Sequence, residues 1–420
     1  MNGRRALAAL VLLIGLGASA PVVADARIPA PPSASAPPPA IPDDDPVVVE
    51  VVTFGPGDHP FSRFGHNALR IRDRRTHADL IYNFGTFSIV PGMVNQFLHK
   101  TLRYWLLRGS TAGVLASYQA ENRSIEVQRL NLTPAQKSDL VQRLDVNARP
   151  ENREYKYDYF LDNCSTRVRD TLDVVLGGRV RAAAGQPASF TLRDHALRMV
   201  SGDLSLYLAL LIVLGPPADR PIDAWTEDFL PQMLQRTLRQ VTLDEAGHPL
   251  VAEERTLFEA RRVPPPPTPP RRWPFFLMAG LLAAAACLGL ARWGRRAWFP
   301  RALFGLSAAV FGLVSAGLGG FLLWAWVATP HLAVHRNQNI LLFTPFVVAF
   351  LVLGPGVALG RAGAVRAFAL VAAVALACAV VACLFKLLPF AHQANGSLIL
   401  FMLPLWTGYF VGARLLRKPA

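Results

Sequence analysis

The sequence predicts an α+β domain on the outer side of a membrane, joined by a proline-rich linker to an all-α membrane domain of five helices. Three observations lead there. Five apolar segments follow Pro270, at roughly 274–291, 302–328, 339–359, 364–385 and 396–413, each long enough to cross about 30 Å of hydrocarbon as a helix. Arginines crowd alternate loops between them. A short apolar stretch behind two arginines opens the chain.

That opening reads as a secretory signal over residues 1–26: Arg4 and Arg5, an apolar core from Ala6 to Leu16, and small residues from Ala18 to Ala26. Cleavage after Ala24 or after Ala26 fits equally, and the apolar core is short for a span. Residues 27–46, rich in Pro, Ala and Ser and ending in Asp43, Asp44 and Asp45, cannot bury a core and form a tether. Strand-like sequence begins at Val47. The region 47–260 has the mixed composition of one folded domain. A second linker, 261–272, contains Pro264 to Pro267, a stiff extended run. The membrane domain occupies 273–420.

Charge sets the orientation. From Arg261 onward there are 15 basic residues and no acidic one, so the net charge of +14 belongs to the membrane half. This distribution does not imply nucleic-acid binding, which would need a basic surface on the folded domain. Arg292, Arg295, Arg296 and Arg301 lie between the first two segments, Arg361 and Arg366 between the third and fourth, and Arg414, Arg417 and Lys418 after the fifth. Basic loops stay on the cytoplasmic side. The folded domain then falls outside, in agreement with the signal. The run Leu204 to Leu214 is too short to span and reads as a buried or membrane-surface helix ending at Gly215-Pro216-Pro217.

Cysteine usage singles out one residue. Cys287, Cys378 and Cys383 lie within apolar segments and read as packing residues. Cys164 is the only cysteine of the exported domain and has no partner there. It is either an inert buried thiol or a nucleophile. Val168, Leu172 and Val175 follow at helical spacing, and Gly177-Gly178 supplies a stop. Asp162 or Asn163 can cap this helix, which places the thiol in its first turn. Free N–H groups and the positive helix end there favour a thiolate and can hold an oxyanion.

A cysteine nucleophile needs a base. His66 follows Phe64-Gly65 and opens the alternating run Asn67 to Arg72, a strand that a turn at 73–78 returns as 79–84. This hairpin holds His66 on a rigid element, although a structural histidine fits the same place. Asn83 on the returning strand is the candidate third residue, with Tyr82 and His77 as weaker ones. Thr133-Pro134-Ala135-Gln136 reads as a helix start with a capping box. Arg153, Arg167 and Arg169 fit ion pairs with Asp158 and Asp170, or contacts to a lipid phosphate.

Ser62 to Ile71, Tyr82 to Phe87, Gln128 to Thr133 and Tyr157 to Arg167, with Asp170, together resemble the Lnb N-terminal periplasmic domain, over about residues 48–250. The resemblance extends to His335 to Pro345 in the membrane half. The family is represented by the Bacteroidetes-type lipoprotein N-acyltransferase. The order of histidine before cysteine is similar to circularly permuted papain-like folds, including the NlpC-type cell-wall hydrolases and the lecithin–retinol acyltransferase group. The resemblance implies Cys164 as nucleophile, His66 as base and, more weakly, Asn83 as third residue. Expected substrate contacts are Asn163, Tyr82, Arg167, His335 and Asn339. The expected activity is N-acylation of a lipoprotein from a membrane phospholipid, through a Cys164 thioester, at the periplasmic face of the bacterial inner membrane. A cysteine amidase or peptidase of cell-wall peptides uses the same pair, and a non-enzymatic envelope factor needs neither. No cofactor or metal is expected, since no close cluster has ligand spacing. The oligomeric state is open.

Overall fold

The computed structural model of the chain describes residues 46–88, 91–99, 102–388 and 392–417. The expected signal and all but the last residue of the tether lie outside these, as does Lys418.

One seven-stranded antiparallel sheet organises the first half. Its strands are β1 (Val47–Phe54), β2 (His66–Asp73), β3 (Ala78–Thr86), β4 (Arg103–Ser110), β5 (Ile125–Leu130), β6 (Glu154–Lys156) and β7 (Val251–Phe258), in the order β6-β4-β3-β2-β1-β5-β7. β1 is almost wholly apolar because both sheet faces are covered. Val49, Val51 and Leu69 pack with the helices Pro134–Asn147, Cys164–Val175 and Pro231–Gln240. Val52, Phe54 and Ile81 face the helix Thr111–Ala120. The one acid of β1, Glu50, is fully buried and compensated by Arg70 (3.0 Å), Arg72 (3.0 Å) and Arg255 (2.6 Å). A buried carboxylate persists only with such partners.

The hairpin of β2 and β3 has the expected register, with Leu69 opposite Tyr82 and Asp73 opposite Ala78. The Thr133 capping box forms as the sequence predicts.

Among the described residues, four helices are long and apolar enough to cross a membrane: Trp273–Gly294, Trp298–Ala328, Ala362–Leu387 and Gly396–Arg417. The expected third span, 339–359, is not a continuous helix. It is a pair of pieces, Leu332–Leu341 and Pro345–Ala358, bent by 52°, so the count reaches five only if this pair is one span. Pro345 lacks an N–H and pushes Thr344 out of the helical region, whereas Pro355 is accommodated inside the helix Phe350–Ala358. Broken backbone is tolerated at this depth only against protein. Helix 298–328 provides that surface through Gly305, Gly312 and Gly319, seven residues apart. A Cβ at these positions would lie 2.4 Å from the Gly354 carbonyl oxygen, 2.6 Å from that of Val347 and 1.7 Å from that of Phe343.

The basic loops gather at one end of this bundle, where the Arg301 side chain bonds the Gly294 carbonyl (2.7 Å) and lies against Gly360. The sheet domain docks at the other end, through the helix Leu204–Val213. Tyr207 and Leu211 of that helix share a core with Phe276, Leu342 and Leu398 of the membrane part. Ten residues are too few to span, and the helix lies against the bundle instead.

Candidate active site

The nucleophile candidate sits where local sequence places it. Asn163 is the N-cap of helix Cys164–Val175, and its Oδ1 accepts from the Thr166 N–H (2.9 Å) while Thr166 Oγ1 accepts from the Asn163 N–H (2.8 Å). Cys164 is therefore the first helical residue. The backbone N–H groups of Asn67, Ser165 and Cys164 itself are directed at its sulfur and favour the thiolate. Burial outweighs them and pushes the thiol up from its ordinary value. The helix N-terminus thus does not produce the resting thiolate that the sequence suggested, because desolvation of an enclosed sulfur is the larger effect.

His66 opens β2 directly after Gly65, whose φ of +83° and close approach to the Phe54 carbonyl (2.8 Å for a Cβ) exclude any side chain. Strand alternation puts His66 and Asn83 on the same sheet face, and Asn83 Oδ1 accepts a hydrogen bond from His66 Nε2. The Asn83 amide also acts as donor toward the Tyr118 phenol, which fixes the amide orientation and assigns the proton to Nε2. Nδ1 is left as the basic nitrogen. Tyr118 lies parallel to the imidazole at 5.9 Å, and the Arg123 guanidinium lies over the Tyr118 ring at 4.4 Å. Burial, and then the Arg123 charge, lower the His66 pKa to about 4, against a smaller opposing effect of Asn83.

Both members of the pair therefore rest uncharged. His66 is a free base above its depressed pKa and loses that form only as pH falls through about 4. A kcat/KM profile with a water-soluble acyl ester is expected to hold its acid limb near pH 4 rather than near the ordinary 6.5. Iodoacetamide is expected to alkylate Cys164 at pH 7 more slowly than a free cysteine peptide. A fast, pH-independent alkylation would reveal a preformed ion pair instead.

Cys164 and His66 line one cavity of ≈ 500 Å³. Gly65 and Gly85 lie beside them, and Phe64, Phe87, Tyr104, Tyr157 and Tyr159 form aromatic walls. The cavity continues away from the sheet to Leu206 and Leu210, to Phe321 and Ala325 of the helix Trp298–Ala328, and to Leu332, Ala333 and Val334. Its lining is mostly apolar, within the size range of about 300–1,000 Å³ usual for ligand sites.

The expected substrate contacts sit elsewhere. Asn163 is buried, and its Nδ2 donates to the carbonyls of Tyr159 (2.9 Å) and Phe229 (2.8 Å), so its side chain is consumed by the cap. Tyr82 points to the opposite sheet face from Asn83, into the core, and donates to Asp145 (2.6 Å). Arg167 pairs with Asp162 (2.5 and 2.7 Å) and lies over the Tyr155 ring, while Asp158 caps its own turn at Phe160 and Leu161. His335 bonds the Thr329 carbonyl (2.8 Å). Asn339 is fully buried, with Nδ2 on the Ile212 (2.8 Å) and Leu211 (3.3 Å) carbonyls and Oδ1 accepting from Asn395 (2.7 Å). Asn337 and Gln393 add bonds to the carbonyls of Ile212, Val213 and Leu214. This loop motif satisfies the carbonyl end of helix Leu204–Val213, which would otherwise be buried without partners. None of these five side chains lines the cavity.

Of the histidines and asparagines in this loop, His331 lines it; its Nε2 bonds the Phe97 carbonyl (2.8 Å) and its ring stacks on Phe97. Tyr118, Arg123 and Tyr159 were not legible as site residues. Only Tyr159 carried a signal, as the last of three alternate tyrosines that run into the Cys164 helix.

No curated protein and no solved structure matches the chain. A family model does match, over a shorter segment than the motifs suggest. It covers Cys164, His66 and Asn83 but ends before helix Leu204–Val213. Residues 43–196 match the model of the Lnb N-terminal periplasmic domain, and over this segment the chain is similar to that family.

Proposed function

We propose that the protein is a membrane-bound cysteine acyltransferase that moves an acyl chain from a membrane lipid to an amine, with the N-terminus of a lipoprotein as acceptor. One observation carries this reading: the cavity holding Cys164 and His66 runs along an apolar lining to Phe321 and Ala325 of a membrane-spanning helix. A lipid ester can reach the sulfur along such a surface without leaving apolar surroundings. A peptide of the cell wall is polar and gains little there, so amide hydrolysis is the weaker reading.

The chemistry starts from two neutral groups. His66 Nδ1 takes the Cys164 proton as the sulfur attacks the ester carbonyl. The helix N–H groups that face the sulfur are placed to hold the developing oxyanion. Collapse breaks the ester C–O bond, and His66 returns the proton to the departing lysolipid alcohol. An amine then attacks the thioester, loses its proton to His66 and expels the sulfur, which His66 reprotonates. Asn83 keeps the imidazole in the required tautomer throughout. The His66 strand precedes the Cys164 helix in the chain, as in a permuted papain-like domain. The basic loops at the far end of the bundle support a multi-pass inner-membrane topology with this domain in the periplasm.

The test is a mass shift. Purified protein incubated with phospholipid and a synthetic diacylated lipopeptide is expected to add one acyl chain to the peptide amine. Release of free fatty acid alone, or cleavage of muropeptides with no acyl transfer, would replace this reading by a hydrolase.

A further inference from the structure

A buried tyrosine hydroxyl in the wall of the cavity has no hydrogen-bond partner among the described residues. Tyr159 lines the cavity with Cys164 and His66. Its carbonyl is tied to the helix cap by Asn163 Nδ2 (2.9 Å), so its backbone is fixed relative to the nucleophile. Its ring packs edge-on against Phe64 (4.8 Å) and Phe160 (5.1 Å). Phe64 lies two residues before His66, so the phenol is wedged between the segments that carry base and nucleophile. Its oxygen is buried and finds no hydrogen-bond partner among the described residues. A buried hydroxyl without a partner costs about 1–3 kcal/mol, and buried tyrosines normally find one. Burial, and next the nearness of Cys164, push its pKa well above the ordinary value, so the phenol remains a protonated donor.

Two neighbouring tyrosines are different. The Tyr155 hydroxyl is also buried and unpaired among the described residues, but Tyr155 does not line the cavity and Arg167 covers its ring. Tyr157 lines the cavity, yet its ring is stacked on Tyr104 at 4.2 Å.

We propose that the Tyr159 hydroxyl is the side-chain donor that binds the substrate carbonyl oxygen as it becomes an oxyanion under attack by Cys164. The inference rests on the acyl-transfer reading and adds a residue to it. As the S–C bond forms, the carbonyl π pair moves to oxygen. That oxygen accepts a hydrogen bond from Tyr159, with no proton transferred, beside the backbone N–H groups of the helix. The Cys164 proton goes to His66. Collapse restores the carbonyl, releases Tyr159 and expels the alkoxide, which takes the proton from His66. A donor unpaired at rest and paired in the transition state favours the transition state selectively.

The experiment compares the full-length protein and Tyr159→Phe in detergent micelles by two reactions at the same sulfur. Acylation by a p-nitrophenyl fatty ester passes through an oxyanion, whereas alkylation by iodoacetamide at a saturated carbon does not. Tyr159→Phe is expected to slow acylation about 10²–10³-fold with KM nearly unchanged, and to leave alkylation at the wild-type rate. Unchanged acylation overturns the proposal. So does a parallel fall in both reactions, because that marks a displaced sulfur rather than a lost donor. A wild-type protein that is alkylated but forms no acyl-enzyme overturns the acyl-transfer reading itself, and the Tyr159 role with it.

Discussion

Cys164→Ala is expected to abolish acyl transfer, a loss on the order of 10⁶-fold by comparison with other covalent catalysts. No other cysteine lines the cavity, so nothing among the described residues replaces the sulfur. His66→Ala is expected to cost about 10²–10⁴-fold, the range for a general base. The double variant should be no worse than Cys164→Ala alone, because the two groups act as one unit. Asn83→Ala should fall less, since it removes a tautomer restraint and leaves the base in place. Its loss should be smallest where the imidazole is least perturbed by the missing hydrogen bond, which a pH series reads. Full activity in Cys164→Ala, measured by the lipopeptide mass shift, would end the covalent mechanism.

Gly319→Leu is expected to unfold the membrane half. The Cβ would land 1.7 Å from the Phe343 carbonyl oxygen, which is backbone and cannot rotate away. Overpacking of a close-packed interface usually costs about 1–3 kcal/mol, and a clash with fixed backbone lies at or above the upper end. The displaced segment carries Asn337 and Asn339, so helix Leu204–Val213 would lose the groups that bond its last carbonyls. Phe321 and Ala325 on the same spanning helix would move with it and open the far wall of the cavity. Gly317→Ala is the control: nothing lies within 4 Å of a Cβ there, and the change should stay within about 0.5 kcal/mol. Tryptophan-fluorescence melting in detergent separates the two. Equal melting curves would show that the broken segment does not pack on this glycine stripe.

The fold was most legible where a local rule acts alone. The hairpin from His66 to Thr86 follows from alternation and a turn, and the cap at Asn163 follows from a short polar side chain before a helical period. The spans follow from length and hydropathy, except the third. Pro345 and the glycines of the facing helix contained the signal for its break, yet an apolar window is blind to where backbone packs on backbone.

The sequence by itself determined a lone cysteine of the folded domain at a helix start, a histidine on the strand after a glycine, and a basic asymmetry among the loops of the apolar half. Tertiary structure alone decided the burial that shifts the pair, the hydrogen bonds of Asn339 and His335, the placement of Tyr118 beside His66 and of Arg123 over Tyr118, and the arrival of Tyr159 in the cavity wall. The reason is physical. Capping and alternation are short-range and are written within a few residues, whereas desolvation and the satisfaction of buried carbonyls depend on every surface that closes over a group. Asn339 reads as a polar loop residue, and only its contact with carbonyls more than a hundred residues away shows it to be a structural bond.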